Sequence, residues 1–319
     1  MSQKYILTVT LNPTVDRFIL IPGFQIGGVY YRSGDIEAAG GKGVNVSRAL
    51  KNLGEKTLAT GILGGCSGKV TILRLLRKER INQDFYRFGG YSRTSLNIYN
   101  PVNHQMTRLL EDGPKVKPVQ VKGFIEKYKY YLERSRCVVL SGRNGNGVKD
   151  SIYAELIRLA GKDGVPAVLD SSGRAFELGV KAKPWMVKPN VQEAEEFLKK
   201  KLRTKKDFVE AIQKYHSLGV GLVVLSCDKK GAFASDGQTL AYAQPPKVKV
   251  LCDVGCGDAL VGAFLTEFLK NKDLGRALKV GVSIGTASAL QAPPAIFSRR
   301  DLDEISEKVQ LKISPFPSK

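Results

Sequence analysis

The sequence predicts an α/β protein with a mostly parallel central sheet covered by helices on both faces. Two observations carry this. Beyond Ile125, short apolar runs alternate regularly with stretches of helical periodicity. The loops richest in Gly, Asn and Asp all follow predicted strands, where the carboxyl ends of a parallel sheet hold ligands. A third observation refines the picture: two β-rich segments, at 14–37 and 85–112, interrupt the alternation.

The elements follow in order. Tyr5 to Thr10 alternates like a strand and ends at the turn signal Asn12-Pro13, with Asp16 on the loop beyond. Phe18 to Glu37 reads as β with glycine breaks. After Gly40-Gly41, the apolar spacing Val46, Ala49, Leu50, Leu53 is helical, and Gly54 ends it. Lys42 and Asn45 therefore stand at a glycine-rich helix start, a place suited to anions or hydroxyls. The plainer alternative is a turn with a solvated lysine. Val70, Leu73 and Leu76 mark a second helix. Phe85 to Leu110 returns to strand-like alternation and carries Arg93, Asn97 and Arg108. From there the order is helix (Ile125, Tyr128, Leu132), strand (Cys137 to Leu140) and helix (Ile152, Leu156, Leu159). Two strands come next (Ala167 to Asp170, Trp185 to Val187), then helices at Glu193 to Lys200 and around Phe208, Ile212 and Tyr215. Leu222 to Leu225 is a strand, Asp236-Gly237 signals a hairpin, and Lys247 to Leu251 reads as β. Leu274 to Val309 is largely helical. With no linker or internal repeat in 319 residues, the chain is expected to be one domain, 1–319.

Composition removes several functions. The longest apolar run, near Gly219 to Leu225, is too short to span a bilayer, and Met1 to Leu11 has no signal-peptide character. A soluble, cytoplasmic protein is expected, with no membrane partner. The five cysteines form no CxxC and only two histidines accompany them, so a structural zinc site and a disulfide framework are not expected. The net charge of +20 suits acidic small substrates. Nucleic acid is not an expected partner, because no recognised motif or interleaving of aromatic and basic residues accompanies the charge.

The most informative stretch is Asp253 to Phe264. Gly255 and Gly257 flank Cys256, and Leu260, Phe264 and Phe268 then follow at helical spacing. Backbone amides of Gly255, Cys256 and Gly257 at a helix start attract an anion. Asp258 repels one. It either caps the helix or takes a proton from a nucleophile attacking a phosphoryl group. A dinucleotide fingerprint is incomplete, since Leu260 stands at its third glycine, and no GxxxxGK[ST] occurs. Convergence of the loops at 12–16, 141–147, 188–193, 226–231 and 253–258 on one cleft favours the catalytic role.

These loops resemble those of the ribokinase-like, phosphofructokinase-B family of sugar kinases, nearest its 1-phosphofructokinase and tagatose-6-phosphate kinase members. The resemblance rests on Thr10-Leu11-Asn12-Pro13 with Asp16, on Gly40-Gly41-Lys42-Gly43-Val44-Asn45-Val46, on Val187-Lys188-Pro189-Asn190 with Glu193, and on Gly255-Cys256-Gly257-Asp258. It implies a three-layer ribokinase-like sandwich with a small β lid over the sugar, a lid that in this family often clasps a second subunit as a homodimer. It implies phosphorylation of fructose 1-phosphate to fructose 1,6-bisphosphate with ATP and Mg2+, with Asp258 as general base and the amides of Gly255, Cys256 and Gly257 as the anion hole. Asp16, Asn45 and the backbone of Gly40 and Gly41 would hold sugar hydroxyls, and Lys42 and Arg93 the sugar's own phosphate. Asn190 and Glu193 would organise magnesium through water, although Asn-x-x-Glu at a helix start equally resembles a capping box. Lys188 and the loop of Ser226, Asp228 and Gly231 would lie along the ATP phosphates.

Two loops depart from the family pattern. Ser141-Gly142-Arg143-Asn144-Gly145-Asn146-Gly147 stands where relatives carry Ser-Gly-Ser-Leu-Pro-x-Gly near the sugar's phosphate, so Arg143 offers a guanidinium there. Asp228 puts a carboxylate where a glycine usually lets the backbone approach the nucleotide. The competing activities are a tagatose- or fructose-6-phosphate kinase and a non-catalytic sugar-phosphate or nucleotide binder. Retention of Asp258 and its glycines speaks for catalysis.

Overall fold

Successive residues of the central strands feed two separate cores, and this alternation builds the layers. The computed structural model describes residues 4–31, 35–65 and 67–317. Cys66 and residues 32–34 of the first β-rich segment lie outside them. The chain begins β1 (Tyr5–Thr10), β2 (Thr14–Leu20), β3 (Ile36–Gly40), α1 (Lys42–Asn52), β4 (Thr57–Gly64) and α2 (Ser67–Lys78). It continues β5 (Tyr86–Phe88), β6 (Arg93–Asn100), β7 (Gln105–Leu110), α3 (Pro118–Leu132), β8 (Ser135–Ser141), α4 (Ile152–Lys162), β9 (Ala167–Asp170) and α5 (Gly173–Lys181). Then come β10 (Met186–Val187), α6 (Val191–Leu198), α7 (Lys205–Ser217), β11 (Leu222–Ser226), β12 (Ala232–Ser235) and β13 (Thr239–Gln244). The last are α8 (Cys256–Asn271), α9 (Leu274–Ser288), α10 (Arg299–Lys308) and β14 (Gln310–Pro315).

The large sheet runs β14-β13-β12-β11-β10-β9-β8-β1-β4-β5. Its strands from β11 to β5 pair in parallel, and β12, β13 and β14 are antiparallel. Ile6, Cys137, Val139, Val168, Met186, Leu222 and Val224 face one core, built with Val46 and Leu50 of α1, Phe264 of α8 and Leu278 of α9. Their neighbours Leu7, Val138, Leu140, Leu169, Val187, Val223 and Leu225 face the other, built with Phe124, Tyr153, Phe176 and Tyr215. Two-sided burial explains why these strands are almost wholly apolar. Each side chain so buried stabilises the fold by roughly 1.5–3 kcal/mol. The period of two also fixes where the chemistry goes. Thr10, Ser141, Asp170 and Lys188 continue the alternation of the first set and point toward the layer holding α1 and α8.

A second sheet, ordered β3-β2-β6-β7, packs beside that layer. Its Phe18 and Ala38 contact Cys252, with Met106 and Val254 against them, and Arg108 pairs with Asp253. It therefore sits on the approach to α8.

Several expectations are corrected. Asp16 lies within β2, not on a loop. The second β-rich segment is divided: β5 pairs with β4 in the large sheet, so the small sheet's share of 85–112 begins at Arg93. Among its described residues, the first segment is strand at 14–20 and 36–40. Lys247 to Leu251 forms no strand, because β14, unforeseen, occupies the edge beside β13. A helix, α5, fills the gap between two predicted strands. Among the described residues no helix is long and apolar enough to cross a membrane, and the described cysteines 137, 227, 252 and 256 are free.

Candidate active site

The site forms where α1 and α8 begin, at the carboxyl ends of β1, β8 and β9. Both helices start on a glycine with positive φ: Gly41 at 112° and Gly255 at 78°. A side chain at Gly255 would also stand 2.6 Å from Pro294 Cβ, so conformation and space both require glycine. The first amides of α8, on Cys256, Gly257 and Asp258, have no acceptor within the helix and present partial positive charge. The Cys256 thiol, pushed up to about 12 by burial, donates to the Cys252 carbonyl at 3.5 Å. Its contribution to an anion site is its backbone.

Asp258 does not cap α8. It is 4% exposed, and its Oδ2 accepts Asn45 Nδ2 at 2.9 Å. Burial pushes its carboxyl up to about 6 against the pull of Lys42, with Asp170 reinforcing burial and Asn45 and Lys188 opposing it. Asp16 is similarly buried and raised to about 6 by burial, although Arg48, Arg93 and Ser95 favour its charge. Asp16 lies over the backbone of Gly40, where a Cβ would come within 2.1 Å of Oδ2. The double glycine is thus partly a consequence of Asp16.

Asp170 is the centre of charge. It is fully buried at the end of β9, where Oδ1 meets Lys42 Nζ at 2.6 Å and Lys188 Nζ at 3.4 Å. Burial would lower Lys42, but Asp170, Asp258 and Glu193 outweigh it and hold the amine above its ordinary value. A Cβ on Gly257 would stand 3.4 Å from Lys188 Nζ, so both lysines border the start of α8. The close partners of Lys42 are Asp170 and, at 3.9 Å, Glu193. Arg93 instead donates to the Asn12 carbonyl at 3.1 Å. Burial lowers its guanidinium; Asp16 counters this and the exposed Arg143 adds to it. Ser141 is buried in register with Thr10 and Asp170, its Oγ without a partner among the described residues.

Asn190 and Glu193 form the capping box of α6: Glu193 N–H donates to Asn190 Oδ1 at 2.8 Å and Asn190 N–H to Glu193 Oε2 at 2.9 Å. Their Oε1 remains toward Lys42. Next to them lies the Ser226 loop, through the Asn190–Ser226 bridge. Asp228 is exposed at φ 48°, and Gly231 closes the turn back onto Cys227 at 2.7 Å. Among the described residues no group of three or more His, Cys, Asp or Glu is placed to hold a metal directly. Water-mediated binding fits the donors present: Glu193 Oε1 and the unpartnered, buried Asp170 Oδ2.

Sequence reasoning gave Asp170 and Arg48 no role in this centre. A carboxylate closing the apolar run Ala167-Val168-Leu169 was the available signal for the first.

A buried carboxylate, two lysines and free helix-start amides at the switch of a parallel sheet define a small-molecule phosphotransferase. The chain belongs to the pfkB family of carbohydrate kinases, whose model matches residues 34–297. It is an ATP-dependent sugar kinase with the ribokinase-like fold. Sugar kinases of this family use ATP and generally require Mg2+. A possible 1-phosphofructokinase from Thermotoga maritima is 29% identical, with 97% of this chain and 99% of that one covered at a TM-score of 0.87. Phosphofructokinase-2 from Escherichia coli in complex with fructose-6-phosphate is 26% identical, covering 96% and 99% at 0.86. A tetrameric inhibited form of the same enzyme matches equally well, at 26% and 0.86 over 96% and 99%.

Proposed function

We propose that the chain transfers the γ-phosphoryl group of ATP to a hydroxyl of fructose 1-phosphate, with Asp258 as general base. The observation that carries this is Asp258 itself: a carboxylate at a helix start that caps nothing, held by Asn45 and raised toward neutrality by burial. A base poised near the working pH accepts a proton efficiently. The hydroxyl oxygen attacks the γ-phosphorus and its proton passes to Asp258. The bond to the β–γ bridging oxygen breaks and its electron pair leaves with ADP. Lys42, Lys188 and the amides of Cys256, Gly257 and Asp258 surround the charge that spreads over the transferring group. Glu193 and Asn190 would hold magnesium through water, and the ion would further neutralise phosphate charge.

Asp16 and Asn45 hold sugar hydroxyls, and Arg93 with Arg143 holds the phosphate already on the sugar. Two guanidiniums near enough to repel each other suit a dianion. The relative that binds fructose-6-phosphate favours a second reading, in which the acceptor is a 6-phosphosugar. A coupled ADP-release assay across fructose 1-phosphate, fructose 6-phosphate, tagatose 6-phosphate and unphosphorylated sugars decides between them. Fructose 1-phosphate is expected to give the highest kcat/KM, and an order led by a 6-phosphosugar would replace it. Arg143→Ala is expected to raise KM for the phosphosugar several-fold and leave that for ATP unchanged. Unmoved constants would make Arg143 a surface residue.

The small sheet exposes Leu20, Ile36, Leu109 and Leu110, apolar surface suited to a second copy as well as to covering sugar. A homodimer through this sheet is the expected assembly, and sedimentation as a monomer at micromolar concentration would remove it.

A further inference from the structure

Arg48 on α1 is 2% exposed, a position where a guanidinium needs a partner for each nitrogen. Each one has a partner. Nε and NH2 hold the Glu79 carboxylate, the second at 3.0 Å, and NH2 also donates to the Ala39 carbonyl at 2.6 Å. NH1 donates to Asn45 Oδ1 at 2.8 Å and to the Pro294 carbonyl at 3.2 Å. Ala39 precedes Gly40, on which Asp16 lies, and Pro294 abuts Gly255. One guanidinium thus ties together three segments that shape the site.

The bond to Asn45 carries the argument. A primary amide has two nearly isosteric ends, one a donor and one an acceptor. Because Arg48 occupies the carbonyl end, the NH2 end faces Asp258 Oδ2 at 2.9 Å. With Arg48 gone, the amide is free to turn its oxygen toward the carboxylate, and that contact is tolerable only if Asp258 carries a proton.

We propose that Arg48, braced by Glu79, is a positioning residue for phosphoryl transfer, fixing the end of the Asn45 amide that meets Asp258. The inference rests on Asp258 being the base. Other charged groups also face these side chains. Lys42 of α1, Asp170 of β9, Lys188 after β10 and Asp16 of β2 surround Asp258, and Glu79 after α2 and Asp16 surround Arg48.

The test compares Arg48→Lys and Glu79→Gln with wild type in kcat, phosphosugar affinity by calorimetry, melting temperature, and the acid limb of kcat/KM. Lysine keeps the charge near Glu79 and Asp16 but lacks the fork needed to reach Asn45, Ala39 and Glu79 together. Arg48→Lys is expected to lower kcat tenfold or more, with sugar affinity within a few-fold. Its acid limb should move upward, because a carboxylate that loses a donated hydrogen bond holds its proton more tightly. Glu79→Gln, whose side chain is a quarter exposed and keeps an oxygen for the guanidinium, should shift both in the same direction by less. A lowered melting temperature with wild-type kcat and acid limb in both variants would make the cluster merely structural. If Arg48→Lys fails to fold, unchanged kcat and limb in Glu79→Gln overturn the proposal. Asp258→Asn, measured alongside, separates the two ideas: an active Asp258→Asn refutes the base, whereas an inactive one beside unperturbed Arg48 and Glu79 variants refutes only the positioning role.

Discussion

Asp258→Asn is expected to reduce kcat by roughly 10²–10⁴ while leaving phosphosugar and ATP dissociation constants within a few-fold of wild type. The substitution keeps the side chain's shape and its contact with Asn45, and removes the group that takes the proton. It should not destabilise the protein. Burial raises the folded-state pKa of Asp258 to about 6, above the ordinary carboxylate value of about 3.9. The folded state therefore binds this proton more tightly than the unfolded chain does. Stability is lost as pH rises from the unfolded value through the folded one, and at neutral pH the ionised carboxylate opposes folding. A neutral asparagine removes that opposition, so its melting temperature at pH 7.5 should equal or exceed that of wild type. For wild type, kcat/KM should fall as pH drops through about 6, as the base takes up its proton, and Asp16, raised to the same region, steepens the fall. Near-normal turnover in Asp258→Asn would show that the proton goes elsewhere.

The helix start at Asp258 was legible because its determinants are local. Gly255 is needed by backbone geometry at the helix start, and Leu260, Phe264 and Phe268 declare the helix. The ion pair of Lys42 was not legible. It depends on Asp170 arriving from β9, 128 residues away, and no local pattern encodes the order of parallel strands. The same limit explains β5: Tyr86 to Phe88 reads as a strand whether it joins β4 or the small sheet. Lys247 to Leu251 alternates like a strand, yet a strand needs a free ladder, and β14 takes the edge it would have used. The missed helix α5 has a local cause. Ser171, Ser172, Gly173 and Gly179 weaken the helical signal, and only burial of Phe176 and Val180 against the core supplies what propensity lacks. Asn190 and Glu193 illustrate the converse, since the capping box expected from four residues is present and leaves one carboxylate oxygen for a second role.

Asp170→Asn is expected to slow turnover and weaken the fold, yet to tighten nucleotide binding. Its carboxylate is fully buried between Lys188, itself 3% exposed, and Lys42. Breaking a buried pair by neutralising one partner typically costs about 3–5 kcal/mol, because the other charge is left without compensation. The contact with Lys42, whose side chain is a third exposed, contributes the smaller part. In the variant the two ammonium groups repel, spread, and no longer stand ready beside the start of α8. A fall in kcat of tenfold or more follows, equivalent to about 1.4 kcal/mol of lost transition-state stabilisation. Binding moves the other way. The polyphosphate of ATP brings negative charge to the lysines that Asp170 had been neutralising, so the variant gains more from the ligand than wild type does. Urea denaturation with and without ADP or ATP checks both parts. The midpoint of Asp170→Asn should lie well below wild type in the free protein, and saturating nucleotide should close much of that gap. Equal midpoints without ligand, or equal stabilisation by nucleotide in the two proteins, would mean that Asp170 is not the charge that holds these lysines in place.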